Sequence, residues 1–340
     1  MGINMSEGIS IQTLRYERHG LPADVLELVG LDLPRLEPGD ALVALRFGAI
    51  HYSDLGMING SYGNLKKLPA IAGREGVGEV VALGPNTISP KIGTLVRMPE
   101  EFGVWREAVV AKAADLWVIP EGVPTEQAAL AFINPPTAWQ MLHDFVKLQR
   151  GDWVIQNAGT SAVGVLVAQL SKHLGLNCIS VVRDVKAAES LLEVGATQVV
   201  AEDSVYEKDA AKLTGGTPIK LALNAVGGES VGRLCRAVAP DGVVVTYGGV
   251  TAEPMRFPTR FLIFNNIQLH GFWLDGWVRS HSEVETQVMY ENVFELLRAG
   301  VLAQTVAAKY PLSEWRGALE HAFRAGKGGK VLFESQWQPR

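Results

Sequence analysis

The amino-acid sequence predicts an α/β protein with two domains, a strand-rich barrel and a doubly wound parallel sheet. The chain has 340 residues, which exceeds the roughly 100 to 200 residues of a typical domain. Strand-like and helix-like segments alternate through its middle, as parallel strands joined by helical crossovers do. Both ends are strand-rich, so we expect them to complete one domain. The predicted division is residues 1–122 and 303–340 for the barrel domain and residues 123–302 for the sheet domain.

The first third of the chain reads as strands and turns. The runs ALVALRFGAI, GEVVALG and GTLVRMP are rich in β-forming residues and are bounded by Gly and Pro. Up to about Pro120 this pattern predicts an all-β segment folded as a compact barrel.

The middle of the chain changes from one pattern to the other. The run EQAALAFINPPTAWQMLHDFV has helical spacing, interrupted by Pro135 and Pro136. Next, WVIQNA predicts a strand, and GTSAVGVLVAQLSKHLG predicts a helix that ends at Gly175, a residue suited to a left-handed cap. The strands CISVVRD, TQVVAE, LALNAVGG, GVVVTYGG and IQLHGFWL follow, with the helices AAESLLEVG and ESVGRLCRAVA between them. The last part of the chain, from QTVAAKYPL to GKVLFES, again predicts strands, with one short helix between them.

The composition argues against several functional classes. The formal net charge of −5 lacks the basic excess of a nucleic-acid-binding protein. No apolar run has the length of a membrane span, and the N-terminal residues lack the patterns of a signal or transit peptide. Cys178 and Cys235 stand in apolar runs, which favours small buried side chains over a disulfide. We expect a cytoplasmic protein that binds neither nucleic acid nor membrane.

The segment QNAGTSAVG joins a predicted strand to a predicted helix through small residues. The N-terminus of such a helix offers unpaired NH groups and a partial positive charge to a phosphate. The spacing Ala158, Ser161, Gly164 follows the dinucleotide fingerprint only loosely, because glycine is usual at the first two positions. A pyrophosphate loop and a plain strand-to-helix turn therefore both remain open.

The second strand of this unit ends in VVRD, where dinucleotide folds read the cofactor ribose. Arg183 offers a planar, permanently charged group to a 2′-phosphate, whereas an acidic residue would repel it. This predicts NADPH as the cofactor. The neighbouring Asp184 could instead pair with Arg183 or contact a ribose.

Several segments, in their order along the chain, resemble those of medium-chain dehydrogenases/reductases. They are PAIAGREGVGEVVALG, QNAGTSAVG, SVVRD, LALNAVGG, VTYGG and HGFWL. Together, SDLGMINGSYG, QNA, VVRD and GFWL are most similar to trans-2-enoyl thioester reductases of the mitochondrial type. The resemblance covers nearly the whole chain, and it implies a GroES-like catalytic barrel and a Rossmann nucleotide-binding domain.

Zinc-dependent members of that superfamily use Cys and His ligands in the barrel domain. This chain has Arg74 where they carry a histidine, and His51 falls near another ligand position without a cysteine or histidine partner. We therefore predict an enzyme without a metal and interpret His51 as a structural side chain.

Without a Lewis acid, reduction of a polarised C=C bond is easier than reduction of a carbonyl. Hydride delivered to Cβ of an enoyl thioester leaves an enolate that needs one proton at Cα. The resemblance implies that Tyr62, in the YG motif, donates this proton, and a phenol stays protonated at neutral pH. The alternative is that Tyr62 only anchors its loop.

The resemblance also implies the remaining site residues. Asn134 is expected beside the nicotinamide as a second catalytic residue, and Lys330 near the cofactor phosphates. The other cofactor-binding positions are Thr160, Ser161, Ala162 and Val163 in the pyrophosphate loop, Arg183 and Asp184 at the ribose, Tyr247, Gly248, Gly249 and Val250, and Phe272, Trp273 and Leu274. For the last three, a core strand is an open alternative.

Two positions depart from the family pattern. Ala162 replaces a glycine and places a methyl group near the pyrophosphate, and Val185 replaces a second arginine. Arg183 is then the main positive group for a 2′-phosphate, so NADH could also be accepted.

The predicted activity is NADPH-dependent reduction of the C2–C3 bond of 2-enoyl thioesters of coenzyme A or acyl carrier protein. A quinone or enone reductase of the same superfamily and a non-catalytic NADPH-binding redox sensor are the alternatives. The superfamily further implies a homodimer, with IQLHGFWL as the edge strand that pairs with its twin.

Overall fold

A computed structural model describes residues 9–339. The N-terminal residues 1–8, on which the expectation about targeting segments partly rests, lie outside this range. Strands of the described residues are β1 (Ser10–Tyr16), β2 (Glu27–Asp32), β3 (Asp40–Ala49), β4 (Ala70–Ile71), β5 (Gly76–Leu83), β6 (Leu95–Arg97), β7 (Ala108–Lys112), β8 (Trp153–Gln156), β9 (Asn177–Val182), β10 (Gln198–Ala201), β11 (Ile219–Asn224), β12 (Val243–Thr246), β13 (Gln268–Gly271), β14 (Val306–Tyr310) and β15 (Lys330–Glu334).

The α-helices are α1 (Pro22–Val25), α2 (Tyr52–Asn59), α3 (Thr125–Ala128), α4 (Asn134–His143), α5 (Ala162–Leu174), α6 (Ser190–Val194), α7 (Ala210–Leu213), α8 (Ser230–Ala237), α9 (Arg260–Ile263), α10 (Leu274–Ser280), α11 (Glu283–Arg298) and α12 (Trp315–Phe323). None of these helices is both long and apolar enough to cross a membrane.

The chain divides into two compact units. Unit 1 comprises the residues up to Phe132 together with those from Gln304 onward, and unit 2 is the continuous stretch Ile133–Ala303. The predicted first boundary was residue 122, so the division lies further along the chain and includes α3 in unit 1. Side chains hold α3 there, because Gln127 exchanges two hydrogen bonds with the backbone of Gln304, at 2.9 and 2.8 Å. Glu126 also forms an ion pair with Lys309.

Unit 1 is built on two sheets. One has the order β2-β1-β4, and the other has the order β14-β15-β3-β5-β6 with β7 also paired to β3. Strand β3 is central, since its first half pairs with β7 and its last residues pair with β15. Trp105 is fully buried in the core and its indole nitrogen donates to the Ala49 carbonyl at 2.9 Å. Because β3 lies near the start of the chain and β15 near its end, their pairing means that strands from both ends complete one sheet.

Unit 1 also contains helices, although its first 120 residues read as all-β. Helix α2 begins after His51 with a reciprocal capping box to Asp54 and ends at Gly60, which has φ +85°. The residues at both ends of α2 thus indicate a helix strongly. The apolar residues between them follow a helical periodicity only weakly.

Unit 2 is a doubly wound parallel sheet. Its six strands have the order β10-β9-β8-β11-β12-β13, and every pairing is parallel. The winding direction reverses between β8 and β11, so the loops that follow these two strands diverge and leave a crevice, where ligands of such folds bind. Pro135 and Pro136 do not interrupt a helix, because they lie in the first turn of α4, where a missing NH costs nothing.

Candidate active site

The predicted site residues divide between the units: Tyr62 and Lys330 belong to unit 1 and the others to unit 2. In unit 1 the loop after α2 folds back on the helix. The backbone NH groups of Ser61 and Tyr62 both donate to the Gly56 carbonyl, at 2.9 and 3.1 Å. Tyr62 is half-buried, and its ring lies so close to Gly56 that a Cβ built there would be 3.3 Å from it. Backbone hydrogen bonds and ring packing thus hold the loop of Tyr62 against α2.

Arg74 makes direct contact with the phenol of Tyr62. Its Nη1 donates to the Tyr62 hydroxyl oxygen at 2.7 Å, and its guanidinium lies 4.8 Å from the ring centroid. Its Nε donates to Glu100 Oε1 at 2.8 Å, and the side chain is only 4% exposed. A cation is therefore fixed against the hydroxyl that the sequence predicts as the proton donor.

The backbone before β5 brings Arg74 to this position. Gly73 has φ +90°, and a Cβ built there would lie 2.4 Å from Trp105 Cδ1, so only glycine fits. This turn against the buried indole places the next side chain beside the loop of Tyr62.

Two further cationic side chains contact Glu100, beside the pair formed by Arg74 and Tyr62. Arg97 Nη2 approaches Glu100 Oε2 at 3.3 Å, and Lys66 Nζ donates to the Glu100 carbonyl oxygen at 2.5 Å. Burial lowers the pKa of Lys66 from its ordinary value. Two guanidiniums thus share the Glu100 carboxylate beside Tyr62, and the Lys66 ammonium binds the backbone carbonyl of the same residue.

A second network, of buried side chains, links β15, the start of α2 and the segment before β5. Lys330 Nζ donates to the Ile50 carbonyl at 2.8 Å and lies 3.0 Å from His51 Nδ1. Because an ammonium only donates, Nδ1 accepts and Nε2 carries the hydrogen of the neutral ring. His51 Nε2 then donates to Glu75 Oε2 at 2.5 Å, and Glu75 Oε1 accepts from the Phe132 NH at 2.5 Å. His51 is therefore hydrogen-bonded at both ring nitrogens.

Burial dominates the protonation of this network. It lowers the pKa of His51 to about 4, with a smaller contribution from the charge of Lys330, and it lowers the pKa of Lys330 to about 8. Burial also raises the pKa of Asp54, whose carboxylate accepts from the His51 NH at 2.7 Å, to about 7. At neutral pH the histidine is thus an uncharged connector between Lys330 and Glu75. Residues 9–339 contain no cluster of three or more His, Cys, Asp or Glu side chains that could hold a metal.

In unit 2 the loop between β8 and α5 has the form of a phosphate cradle. Ala158 has φ +50°, and the Ser161 hydroxyl caps the helix by accepting from the Gly164 NH at 3.1 Å. A Cβ at Gly164 would lie 2.6 Å from the Ala158 carbonyl oxygen, so glycine is required where the helix passes its own loop. Thr160 is exposed, while Ala162 and Val163 form the first turn of α5.

Buried amides hold the crevice between β8 and β11 in shape. Asn157 Nδ2 donates to Asn224 Oδ1 at 2.7 Å and to Ser230 Oγ at 3.0 Å, and Asn157 Oδ1 accepts from the Ala225 NH at 2.7 Å. Gln156 Nε2 donates to the Gly164 carbonyl at 2.8 Å. The sequence analysis did not assign these residues to the site. Amide side chains at the ends of two apolar strands could have indicated them, because ligands of such folds bind at the carboxyl ends of the strands.

Tyr247 follows β12 and reaches the same loop. Its hydroxyl is buried near Ser161 without a well-formed hydrogen-bond partner among the described residues, and burial raises its pKa to about 12. Gly248 is partly buried, and Gly249 and Val250 are exposed beyond it. An unsatisfied hydroxyl beside the N-terminus of a 13-residue helix fits an anionic group bound there.

The other predicted positions occupy different places in unit 2. Arg183 and Asp184 are exposed just after β9, and Asp184 Oδ1 accepts from the Lys186 NH at 3.0 Å. Asn134 is buried as the first residue of α4. Phe272, Trp273 and Leu274 join β13 to α10 instead of forming a core strand, and Trp273 is 36% exposed with the Arg279 guanidinium 4.4 Å from its ring centroid.

Comparison with known proteins places the chain in a family. A family model described as zinc-binding dehydrogenase matches residues 162–291, and one described as the alcohol dehydrogenase GroES-like domain matches residues 37–121. The mitochondrial enoyl-acyl-carrier-protein reductase of Dictyostelium discoideum is 38% identical over 333 residues, which cover 96% of this chain and 95% of that protein. This chain belongs to the enoyl-acyl-carrier-protein reductase family. The predicted superfamily, fold class and oxidoreductase activity are thereby confirmed.

Solved structures support the same placement of this enoyl reductase. Etr1p, a mitochondrial 2-enoyl thioester reductase of Candida tropicalis, was solved with NADP and crotonyl-CoA; it is 30% identical, with a TM-score of 0.87, over 96% of this chain and 100% of that one. A protein of Bacillus thuringiensis described as a candidate NADPH:quinone reductase is 29% identical, with a TM-score of 0.87, over 96% of this chain and 99% of that one.

The expectation of a cytoplasmic location is wrong. The Dictyostelium discoideum and Homo sapiens relatives, each 38% identical to this enoyl reductase, are both named mitochondrial proteins. The expectation depended on the residue pattern at the N-terminus, on the two cysteines in apolar runs and on the lack of a long apolar run.

Proposed function

We propose that this chain reduces the C2–C3 double bond of 2-enoyl thioesters, with NADPH as the cofactor and Tyr62 as the proton donor. The observation that supports it most is the Tyr62 hydroxyl held at 2.7 Å by a buried arginine. Relatives named as enoyl reductases, one of them solved with NADP and crotonyl-CoA, indicate the substrate class.

The chemistry requires two hydrogens to be delivered to adjacent carbons. When bound, NADPH supplies a hydride, which adds to Cβ while the thioester carbonyl draws the C=C electrons towards oxygen. Tyr62 then gives its hydroxyl proton to Cα, the C–C single bond is complete, and the phenolate regains a proton from solvent. Asn134 is proposed to help orient the reacting groups.

The proposed cofactor site lies at the carboxyl ends of the strands of unit 2. Thr160, Ser161, Ala162 and Val163 would hold the pyrophosphate against the N-terminus of α5, and Arg183 would pair with the 2′-phosphate. The remaining proposed contacts are Asp184, Tyr247, Gly248, Gly249, Val250, Phe272, Trp273 and Leu274. Lys330 already donates to Ile50 and His51, so a phosphate contact would use its third N–H.

The test follows NADPH absorbance at 340 nm with crotonyl-CoA, trans-2-octenoyl-CoA and 1,4-benzoquinone. We expect turnover of the enoyl thioesters with kcat/KM at least 100-fold above that for the quinone, and no turnover of the saturated acyl-CoA control. A preference for the quinone would support the reductase class of the Bacillus thuringiensis neighbour instead. NADPH binding without any turnover would favour a redox sensor.

We further propose that two copies of this chain pair through β13. Among the described residues β13 pairs only with β12, so its outer edge is open. Ile263 and Phe264, which precede β13, are 66% and 80% exposed, an unusual exposure for large apolar side chains. A Candida tropicalis relative forms an Etr1p/Etr2p heterodimer, so pairing occurs in the family.

A charged residue in the exposed apolar segment before β13 should separate the copies. We expect the parent chain to elute as a dimer by size exclusion with light scattering, and Phe264→Asp to shift it to monomer at micromolar concentration. Phe102→Asp is the matched control, because Phe102 is 44% exposed in unit 1. A parent that is already monomeric, or a dimer that Phe264→Asp leaves intact, would rule out this edge.

A further inference from the structure

The proposed mechanism gives Arg74 no part in proton transfer, although this residue contacts the Tyr62 hydroxyl. We propose that Arg74 is a positioning residue for proton transfer: it holds the Tyr62 oxygen in place and stabilises the phenolate that forms when the proton leaves. This inference rests on the proposed function, since it gives Arg74 a part in the step assigned to Tyr62.

The direction of the hydrogen bond supports this role. A guanidinium has no acceptor, so in the 2.7 Å contact Arg74 donates and the Tyr62 oxygen accepts. The hydroxyl hydrogen of Tyr62 therefore takes no part in the bond to Arg74. This bond also restricts the directions in which that hydrogen can point. After proton transfer the same contact joins a cation to an anion and becomes a stronger, charge-assisted bond.

The surrounding charges keep Arg74 suited to this role. Its Nε bond to Glu100 anchors the guanidinium while Nη1 faces the phenol. The Glu100 carboxylate is shared between Arg74 and Arg97, so Arg74 is not its only cationic partner. Because Arg74 is 4% exposed, solvent screens this interaction little.

The backbone is restrained on both sides of the contact. Gly73 is locked by its positive φ and by Trp105, and Tyr62 is tied to Gly56 through its backbone NH. Donor and acceptor therefore come from two loops that are each restrained by contacts of their own, and a donor already in place favours stabilisation of a developing charge.

The contrary possibility is that Arg74 only packs over the Tyr62 ring and holds the loop. A double-mutant cycle separates the two roles, because a residue that acts through the hydroxyl has nothing left to act on in Tyr62→Phe. The four proteins are the parent, Arg74→Met, Tyr62→Phe and the double variant, assayed with crotonyl-CoA and NADPH.

We expect Arg74→Met to lower kcat about 10- to 100-fold with the KM for NADPH changed less than about 3-fold. In the Tyr62→Phe background the same change should lower kcat less than about 3-fold. Arg74→Lys should recover part of the loss. Arg46→Met is the matched control, because it also removes an arginine of unit 1 that pairs with a glutamate at 2.8 Å. This pair joins Arg46 on β3 to Glu79 on β5.

Equal effects of Arg74→Met in both backgrounds would overturn the proposal while leaving Tyr62 as the acid. A parent without enoyl reductase activity would instead refute the proposed function, and a readout independent of turnover would then decide on Arg74. The Cζ resonance of Tyr62 in carbon-13-labelled protein, assigned by its loss in Tyr62→Phe, should move in Arg74→Met and remain near the parent position in Arg74→Lys. An unmoved resonance would also overturn the proposal.

Discussion

Replacing Tyr62 by phenylalanine is expected to lower kcat for crotonyl-CoA reduction by about 100-fold or more, the usual contribution of a positioned general acid. The KM for NADPH should change little, because every proposed cofactor contact except Lys330 lies in unit 2. Phenylalanine keeps the ring that packs on Gly56 and under Arg74, so the fold is preserved. The measurement is the initial rate at 340 nm with both substrates saturating, and a circular dichroism melt checks folding.

The neighbouring Tyr52 supplies the control for this prediction. It lies on α2, is 64% exposed, and its ring lies 5.0 Å from that of Phe323, so Tyr52→Phe should retain the parent kcat. If Tyr62→Phe turned over as fast as the parent, the proton would have to come from water and the proposed role of Tyr62 would fail. Loss of activity in both variants would indicate a general effect on the helix.

Replacing Arg183 by alanine is expected to raise the KM for NADPH about 10- to 100-fold and to leave the KM for NADH nearly unchanged. Hydrogen bonds between charged partners contribute about 1.5–3 kcal/mol, and Arg183 is exposed after β9, so the effect should shrink as salt rises. Since Val185 stands where a second arginine is usual, no neighbouring arginine at that position would compensate. Steady-state kinetics with each cofactor at two salt concentrations give the measurement.

Arg298→Ala is the control for charge alone, since Arg298 is a surface arginine of unit 2 paired with Glu295. We expect it to alter neither cofactor constant. Equal losses for NADPH and NADH in Arg183→Ala would mean that Arg183 does not read the 2′-phosphate, and NADPH preference would then have to be explained by other residues.

The fold of unit 2 was largely predictable because its signals are local. The apolar run of β8, the small-residue loop and the left-handed Gly175 after α5 follow one another within a short stretch. The sequence analysis missed α2 because the residues that indicate a helix stand at its two ends. They are His51 and Asp54 at the start and Gly60 after the last turn. The first boundary was misplaced because α3 is held in unit 1 by Gln304, a residue remote in sequence.

The candidate site was predictable only in part, for a similar reason. Tyr62 and Arg183 stand in short motifs, whereas the contact between Arg74 and Tyr62 joins two loops whose approach depends on Gly73 and Trp105. The sequence showed that Arg74 cannot bind zinc, and it gave no indication of what the guanidinium touches. The distance between Lys330 and His51, 279 residues apart, depends likewise on β15 pairing with β3.

That same pairing imposes an order on synthesis. Unit 2 has its last strand once residue 271 has emerged from the ribosome, and its parallel sheet can then assemble from one continuous stretch. The barrel sheet must wait, because Lys330 at the start of β15 bonds to Ile50, 280 residues earlier. Until β15 has been synthesised, Phe47, Gly48 and Ala49 of β3 therefore lack the strand with which they pair.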